Sequence, residues 1–139
     1  MATVVPYKII LADDHILFRQ LLKRTIEQNF DLQIIGEARD GQELLNLFSQ
    51  LSSKPNLVIL DISMPKLSGI EAARRIKKID PGVKILILTI HKEKEYLNQA
   101  ISAGAEGYLL KEEVENNLFS AIQAIQRGSS YSSAFFSGK

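Results

Sequence analysis

The chain has 139 residues, 45% of them apolar and 24% charged, with a formal net charge of +1 and no cysteine. That length suits one ordinary domain with a single buried core. The near-zero charge excludes a strong bulk field for nucleic acid or anionic lipid, and the lack of cysteine excludes disulfide scaffolds, zinc–cysteine centres and thiol catalysis. No apolar run approaches the roughly 20 residues needed to span a bilayer, and residues 1–7 lack the charged-then-apolar pattern of a signal peptide. The expectation is a cytoplasmic protein without a membrane partner.

Short apolar runs alternate with longer amphipathic ones. Residues 8–12, apolar from Ile9 onward, end at Asp13 and Asp14, which predicts a buried strand. From His15 to about Asn29, Phe18, Leu21, Leu22 and Ile26 recur at helical spacing. Residues 32–38 predict a second strand, and Gln33 and Gly36 point to an edge position. Asp40 and Glu43 are spaced as a capping box that opens a helix to about Ser52. Residues 57–60 predict a third buried strand ending at Asp61. Ser68 and Glu71 form a second capping box, opening a helix to Lys78, and Pro81-Gly82 is a turn. Residues 84–89 predict a fourth strand, and a helix from about Lys94 stops at Gly104, a natural C-terminal cap. Residues 107–110 are a short fifth strand ending at Lys111. Val114, Leu118, Ala121, Ile122 and Ile125 mark one face of a last helix, which Gly128 ends.

Five strands joined by helices predict an α/β fold with a five-stranded parallel sheet, doubly wound, in one domain. Residues 1–7 form a tail, residues 8–127 the domain, and the serine-rich residues 128–139 a linker. Phe135 and Phe136 are that segment's candidates for docking.

In an open α/β sheet, ligands bind at the carboxyl ends of the strands, where the strand order reverses. The polar residues at those ends are Asp13, Asp14, Asp61, Thr89 and Lys111. Three clustered carboxylates repel, and a hard divalent cation such as magnesium removes that cost. Asp61 is placed to attack a phosphorus atom and form an acyl phosphate. Lys111 would neutralise phosphoryl oxygens, and Thr89 would donate a hydrogen bond to one of them. Singly, each has a plainer reading: Asp14 as the cap of the following helix, Thr89 as strand packing, Lys111 as a solvated strand end. Their joint occurrence at four strand ends favours the chemical reading.

These motifs, Ile-Leu-Ala-Asp13-Asp14-His15, Val-Ile-Leu-Asp61-Ile-Ser-Met-Pro65, Gly69, Leu-Thr89 and Ala103-Gly104-Ala105-Glu-Gly107-Tyr108-Leu-Leu-Lys111, together resemble the receiver domain of two-component response regulators, a flavodoxin-like fold. The resemblance covers residues 8–127. It implies a non-enzymatic signalling switch in which Asp61 accepts a phosphoryl group from a sensor histidine kinase. Asp13 and Asp14 then hold magnesium with Asp61 and the backbone carbonyl of Ser63. Thr89 is the switch hydroxyl, Tyr108 the aromatic partner that turns inward with it, and Lys111 the phosphate-binding lysine. Asp13-Asp14-His15, Thr89-Ile90-His91 and Gly107-Tyr108-Leu-Leu-Lys111 are closer to receivers of LuxR/NarL-type transcriptional regulators. That implies DNA contact only through an output domain absent from this chain, and a homodimer through the fourth helix, fifth strand and fifth helix. The chain stops where such a domain would begin, and a shortened chain is favoured over a stand-alone receiver.

Two positions depart from the pattern. Glu112 stands where many receivers have proline, so the Lys111–Glu112 bond is expected to be trans. Ile90 is bulkier than the small residue common after the switch threonine. A haloacid-dehalogenase-type phosphotransferase would want a second Asp where Ser63 stands, and a flavin module would want a hydroxyl- and glycine-rich loop at residues 13–15. The full set of acidic residues, Thr89 and Lys111 argues against a degenerate receiver that only binds partners. His15 and His91 are of a type that can serve as metal ligand or catalytic base, but His15 is expected to open a helix and His91 to lie in the loop after the fourth strand. Arg74, Arg75, Lys77 and Lys78 are expected on a solvated helix face. Tyr96, Leu97, Ala100 and Ile101 are read mostly as core, with Tyr96 exposed.

Overall fold

The computed structural model describes residues 5–133 and Phe136. The elements alternate from β1 (Tyr7–Ala12), α1 (Ile16–Glu27), β2 (Leu32–Ala38) and α2 (Gly41–Gln50) to β3 (Leu57–Asp61) and α3 (Gly69–Ile79). They continue with β4 (Lys84–Thr89), α4 (Lys94–Ser102), β5 (Gly107–Leu110), α5 (Val114–Gln126) and β6 (Tyr131–Ser132). The sheet is parallel throughout, in the order β2-β1-β3-β4-β5-β6. β2 is an edge strand, as its polar and glycine residues imply. The expected five strands are present, and a sixth, β6, lies within the expected linker, residues 128–139.

Period-two alternation divides the core between the two faces. Ile10, Ala12, Val58, Leu60, Ile85 and Ile87 face α2, α3 and α4, meeting Leu44, Phe48, Ile76 and Leu97. Ile9, Leu11, Leu57, Ile59, Leu86 and Leu88 face α1 and α5, meeting Leu22, Ile26, Leu118 and Ile122. Strands apolar on both sides thus sit between helix layers, which is why they read as continuous apolar runs.

The helix starts follow their caps. Asp40 Oδ1 accepts from Glu43 N at 2.8 Å, and Ser68 Oγ accepts from Glu71 N at 3.2 Å. The reciprocal half of each expected box is diverted. Glu43 accepts from Arg39 N, and Glu71 holds Arg74 and Arg75. Lys77 pairs with Glu106 at 2.6 Å, so three of the four basic residues on α3 have acidic partners.

The sixth strand continues the sheet beyond β5. Tyr131 N donates to Glu106 O, and Ser133 N donates to Tyr108 O at 2.8 Å. Phe136 packs its edge on Tyr108, with ring centroids 5.5 Å apart. One of the two docking candidates therefore docks, and Phe135 lies outside the described residues. The edge of a parallel sheet offers unpaired amides and carbonyls, and this segment satisfies part of that row.

The loop after β3 is tightly built. Gly69 N donates to Ile62 O at 2.9 Å, and a Cβ on Gly69 would sit 2.0 Å from Asp61 O. Lys66 in the same loop adopts φ 70°, a left-handed conformation uncommon outside glycine. Gly69→Ala should therefore destabilise the domain by about 1–3 kcal/mol, the cost of forced overpacking against backbone, read as a lower urea midpoint at unchanged slope.

Candidate functional site

The strand order reverses between β1 and β3, and the site forms at their carboxyl ends. Register sets its layout. Ala12 lies beside Leu60, Asp61 beside Leu88, and Thr89 beside Leu110. Asp13, Asp61, Thr89 and Lys111 therefore leave the sheet along one rim. Asp13, Asp61 and Thr89 are buried, and Asp14 stands on the exposed side.

The Lys111 ammonium holds the cluster together. Its Nζ lies 2.9 Å from Asp13 Oδ2 and 3.1 Å from Asp61 Oδ2, with the lysine side chain only 10% exposed. Nζ also sits 4.5 Å over the Phe18 ring centroid, so an apolar wall and a cation–π contact confine it. The turn after β5 is pinned by Glu113, whose carboxylate accepts from Leu110 N and Ser133 Oγ. No cis peptide bond occurs among the described residues, so the Lys111–Glu112 bond is trans as expected.

Burial raises the Asp61 carboxyl above the ordinary aspartate range. The Lys111 ammonium opposes that shift, and the neighbouring Asp13 carboxylate adds to it. Desolvation thus outweighs one buried cation, and the cluster retains uncompensated negative charge. Asp13 Oδ2 is buried and makes no hydrogen bond despite its ion contact with Lys111. Asp13, Asp14, His15 and Asp61 each present a ligand atom, all within 4.8 Å of one another. Convergent carboxylates that share a single ammonium fit a hard divalent cation.

Some neighbours were not legible in the sequence. Arg19 donates through Nη1 to the carbonyl of Asp13 and through Nε to Glu37 at 3.0 Å, tying α1 to the acidic loop. His15 is the N-cap residue of α1 but makes no side-chain cap bond; its Nδ1 turns toward the carboxylates instead. Asp14 does not cap this helix, because the cap position belongs to His15. His91 stacks on Tyr96 with centroids 4.3 Å apart and lies 3.2 Å from Ser63 Oγ. Tyr96 is half-buried by that stack, Leu97 and Ala100 are core, and Ile101 is exposed. Ile90 is 73% exposed. A cleft of about 760 Å³ opens beside the cluster, lined in part by Asp14, Ser63, Met64, Arg74 and Tyr96.

Thr89 and Tyr108 meet through the backbone of His91. Thr89 Oγ1 accepts from His91 N at 3.0 Å, and the Tyr108 hydroxyl donates to His91 O at 3.4 Å. The Tyr108 ring is 2% exposed, so it occupies an inward position. Burial pushes its phenol up to about 12 from 10.0; Glu93 and Tyr96 push the same way, and a hydrogen bond with Thr89 opposes them. A raised phenol pKa contributes stability that is complete below the unfolded value of about 10 and is lost as pH rises through about 12. Tyr108→Phe should flatten the loss of stability across that window. Urea midpoints measured at stepped alkaline pH would show it, and Tyr7→Phe is the comparison because burial raises that phenol too.

Residues 9–123 match the model of the response regulator receiver domain. The transcriptional regulatory protein YxjL of Bacillus subtilis is 41% identical over 121 residues, which are 87% of this chain and 55% of that protein. A LuxR-family two-component response regulator from Aurantimonas superposes with a TM-score of 0.84 at 34% identity, over 91% of this chain and 89% of that one. RcsB of Salmonella typhimurium, solved in a study of DNA interaction, superposes with a TM-score of 0.82 at 28% identity, over 90% of this chain and 62% of that one. Another RcsB structure holds two dimers bound to two parallel DNAs. The chain spans about half the length of the curated relatives it matches. With its parallel α/β sheet and rim of strand-end aspartates, this chain belongs to the receiver-domain family of two-component response regulators, of the LuxR/NarL type.

Proposed function

We propose that Asp61 accepts a phosphoryl group from the phosphohistidine of a sensor histidine kinase, and that this switches an output controlling transcription. The observation that carries this reading is the convergence of Asp13 and Asp61 on the single Lys111 ammonium beside an open cleft. A carboxylate oxygen of Asp61 attacks phosphorus, the phosphorus–nitrogen bond breaks, and the imidazole leaves with its electron pair. Lys111 neutralises charge on the transferring oxygens, and the Thr89 hydroxyl donates to one of them. Asp13, Asp14, Asp61 and the backbone carbonyl of Ser63 would hold magnesium. When bound, magnesium supplies the charge that lets an anionic donor approach three carboxylates.

The switch is a population shift. Thr89 can donate to the phosphoryl group only by changing its relation to His91 N, and Tyr108 shares that same residue through its carbonyl. The chain's role is that of a regulated phosphoacceptor assisting its own phosphorylation, in the cytoplasm. The α4–β5–α5 face is the proposed homodimer surface, and β6 and Phe136 belong to it because they lie along β5. DNA contact belongs to an output domain outside this chain, joined through residues 128–139.

Acetyl phosphate with magnesium should add one phosphoryl group by intact mass. Asp61→Asn should abolish the gain, and phosphate uptake by that variant would refute Asp61 as the acceptor. Lys111→Ala should slow uptake by about 100-fold, the loss expected for one preorganised charge donor.

A further inference from the structure

We propose that residues 131–133, together with Phe136, are a strap docked on the switch, and that the docked strap and a phosphoryl group on Asp61 stabilise each other. The proposal rests on the reading of Asp61 as phosphoacceptor and of Thr89 and Tyr108 as its switch. It extends that switch into the residues proposed to lead to an output domain.

The strap lies on the sheet edge with one flank open. Gly128, at φ 86°, reverses the chain after α5, and the chain returns along β5. Tyr131 N donates to Glu106 O at 2.9 Å, and Ser133 N donates to Tyr108 O at 2.8 Å. A cavity of about 170 Å³ remains between the strap and α4, lined in part by Leu97, Ala100, Tyr131 and Ser132. A two-residue edge strand with an open flank belongs to the low-stability end of a fold, where segments open without global unfolding.

Both anchors of the strap lead to Asp61. Ser133 is fully buried, and its Oγ donates to the Glu113 carboxylate. Glu113 closes the 3-10 turn that begins at Lys111, and it also accepts from Leu110 N. The strap thus braces that turn in the position from which Lys111 Nζ reaches Asp61 Oδ2 at 3.1 Å. The second anchor is Phe136, whose ring meets the inward Tyr108 ring edge-on. The Tyr108 hydroxyl donates to His91 O, and His91 N donates to Thr89 Oγ1. A ring turned outward would give up both its contact with Phe136 and its bond to His91 O. Docking therefore favours the inward ring and the reaching lysine, the arrangement proposed to receive the phosphoryl group.

An element with two states, biased from two sites, couples those sites. Such coupling is reciprocal, so phosphorylation favours docking by the factor with which docking favours the phosphoryl group; ordinary couplings are about 5- to 150-fold. Docking then fixes where the connection to an output domain leaves the receiver.

The test uses the whole chain and beryllium trifluoride with magnesium, a reversible mimic of the phosphoryl group. Amide hydrogen exchange at Tyr131 and Ser133, read by NMR, should slow at least about 5-fold at saturation. The double variant Ser133→Ala, Phe136→Ala should exchange faster at Tyr131 and bind the mimic at least about 5-fold more weakly, as reciprocity requires. Unchanged or faster exchange in the saturated native chain would overturn the proposal. Native affinity in the double variant, or native exchange at its Tyr131, would overturn it as well. If the double variant does not fold, exchange in the native chain decides alone. A native chain that fails to take up the mimic defeats the phosphoacceptor reading and this proposal with it, whereas uptake without a change in exchange defeats the strap alone.

Discussion

The structure depends on one buried contact, the Lys111 ammonium between the Asp13 and Asp61 carboxylates. Removing one partner from a buried ion pair typically costs about 3–5 kcal/mol, because the remaining charge is left without compensation. Here a single cation serves two carboxylates, and burial still leaves Asp61 harder to ionise than an exposed aspartate. The site is therefore held together but short of positive charge. That shortfall is a physical reason for a receiver to recruit a divalent cation before it meets an anionic phosphoryl donor.

The scaffold serves this arrangement through register. β1, β3, β4 and β5 are neighbours, and their carboxyl ends release Asp13, Asp61, Thr89 and Lys111 in turn. The loop after β3 is compressed against Asp61 by the Gly69 approach. Arg19, Phe18 and Glu113 brace the acidic loop, the lysine and the turn beyond it. Through His91, the site's hydroxyl reaches Tyr108, and through Tyr108 it reaches Phe136 and the β6 segment. A continuous chain of contacts thus runs from the rim of the sheet to the last described residue.

Much of this was legible in the chain. Buried parallel strands are apolar on both faces, so residues 57–60 and 84–89 announce themselves without periodicity. Asp40 and Ser68 mark helix starts because a short oxygen-bearing side chain satisfies a free amide. Asp13, Asp14, Asp61, Thr89 and Lys111 could be collected because each ends a strand or lies within two residues of its end. Tyr131 and Ser132 were missed because a two-residue strand has no pattern of its own and exists only where β5 offers an edge. The His91 stack on Tyr96 and the His15 approach to the carboxylates were missed for the same kind of reason. They join residues whose side-chain directions depend on loop conformation.

The sequence by itself determined the order of elements, the α/β class and the residues available at the strand ends, because burial pattern and capping are local properties of the chain. Tertiary structure alone decided which of those residues touch. The 2.9 and 3.1 Å contacts of Lys111 span 98 and 50 positions of chain, and no local preference acts over such separations. Strand register and the packing of α1 and α5 on one face bring them together.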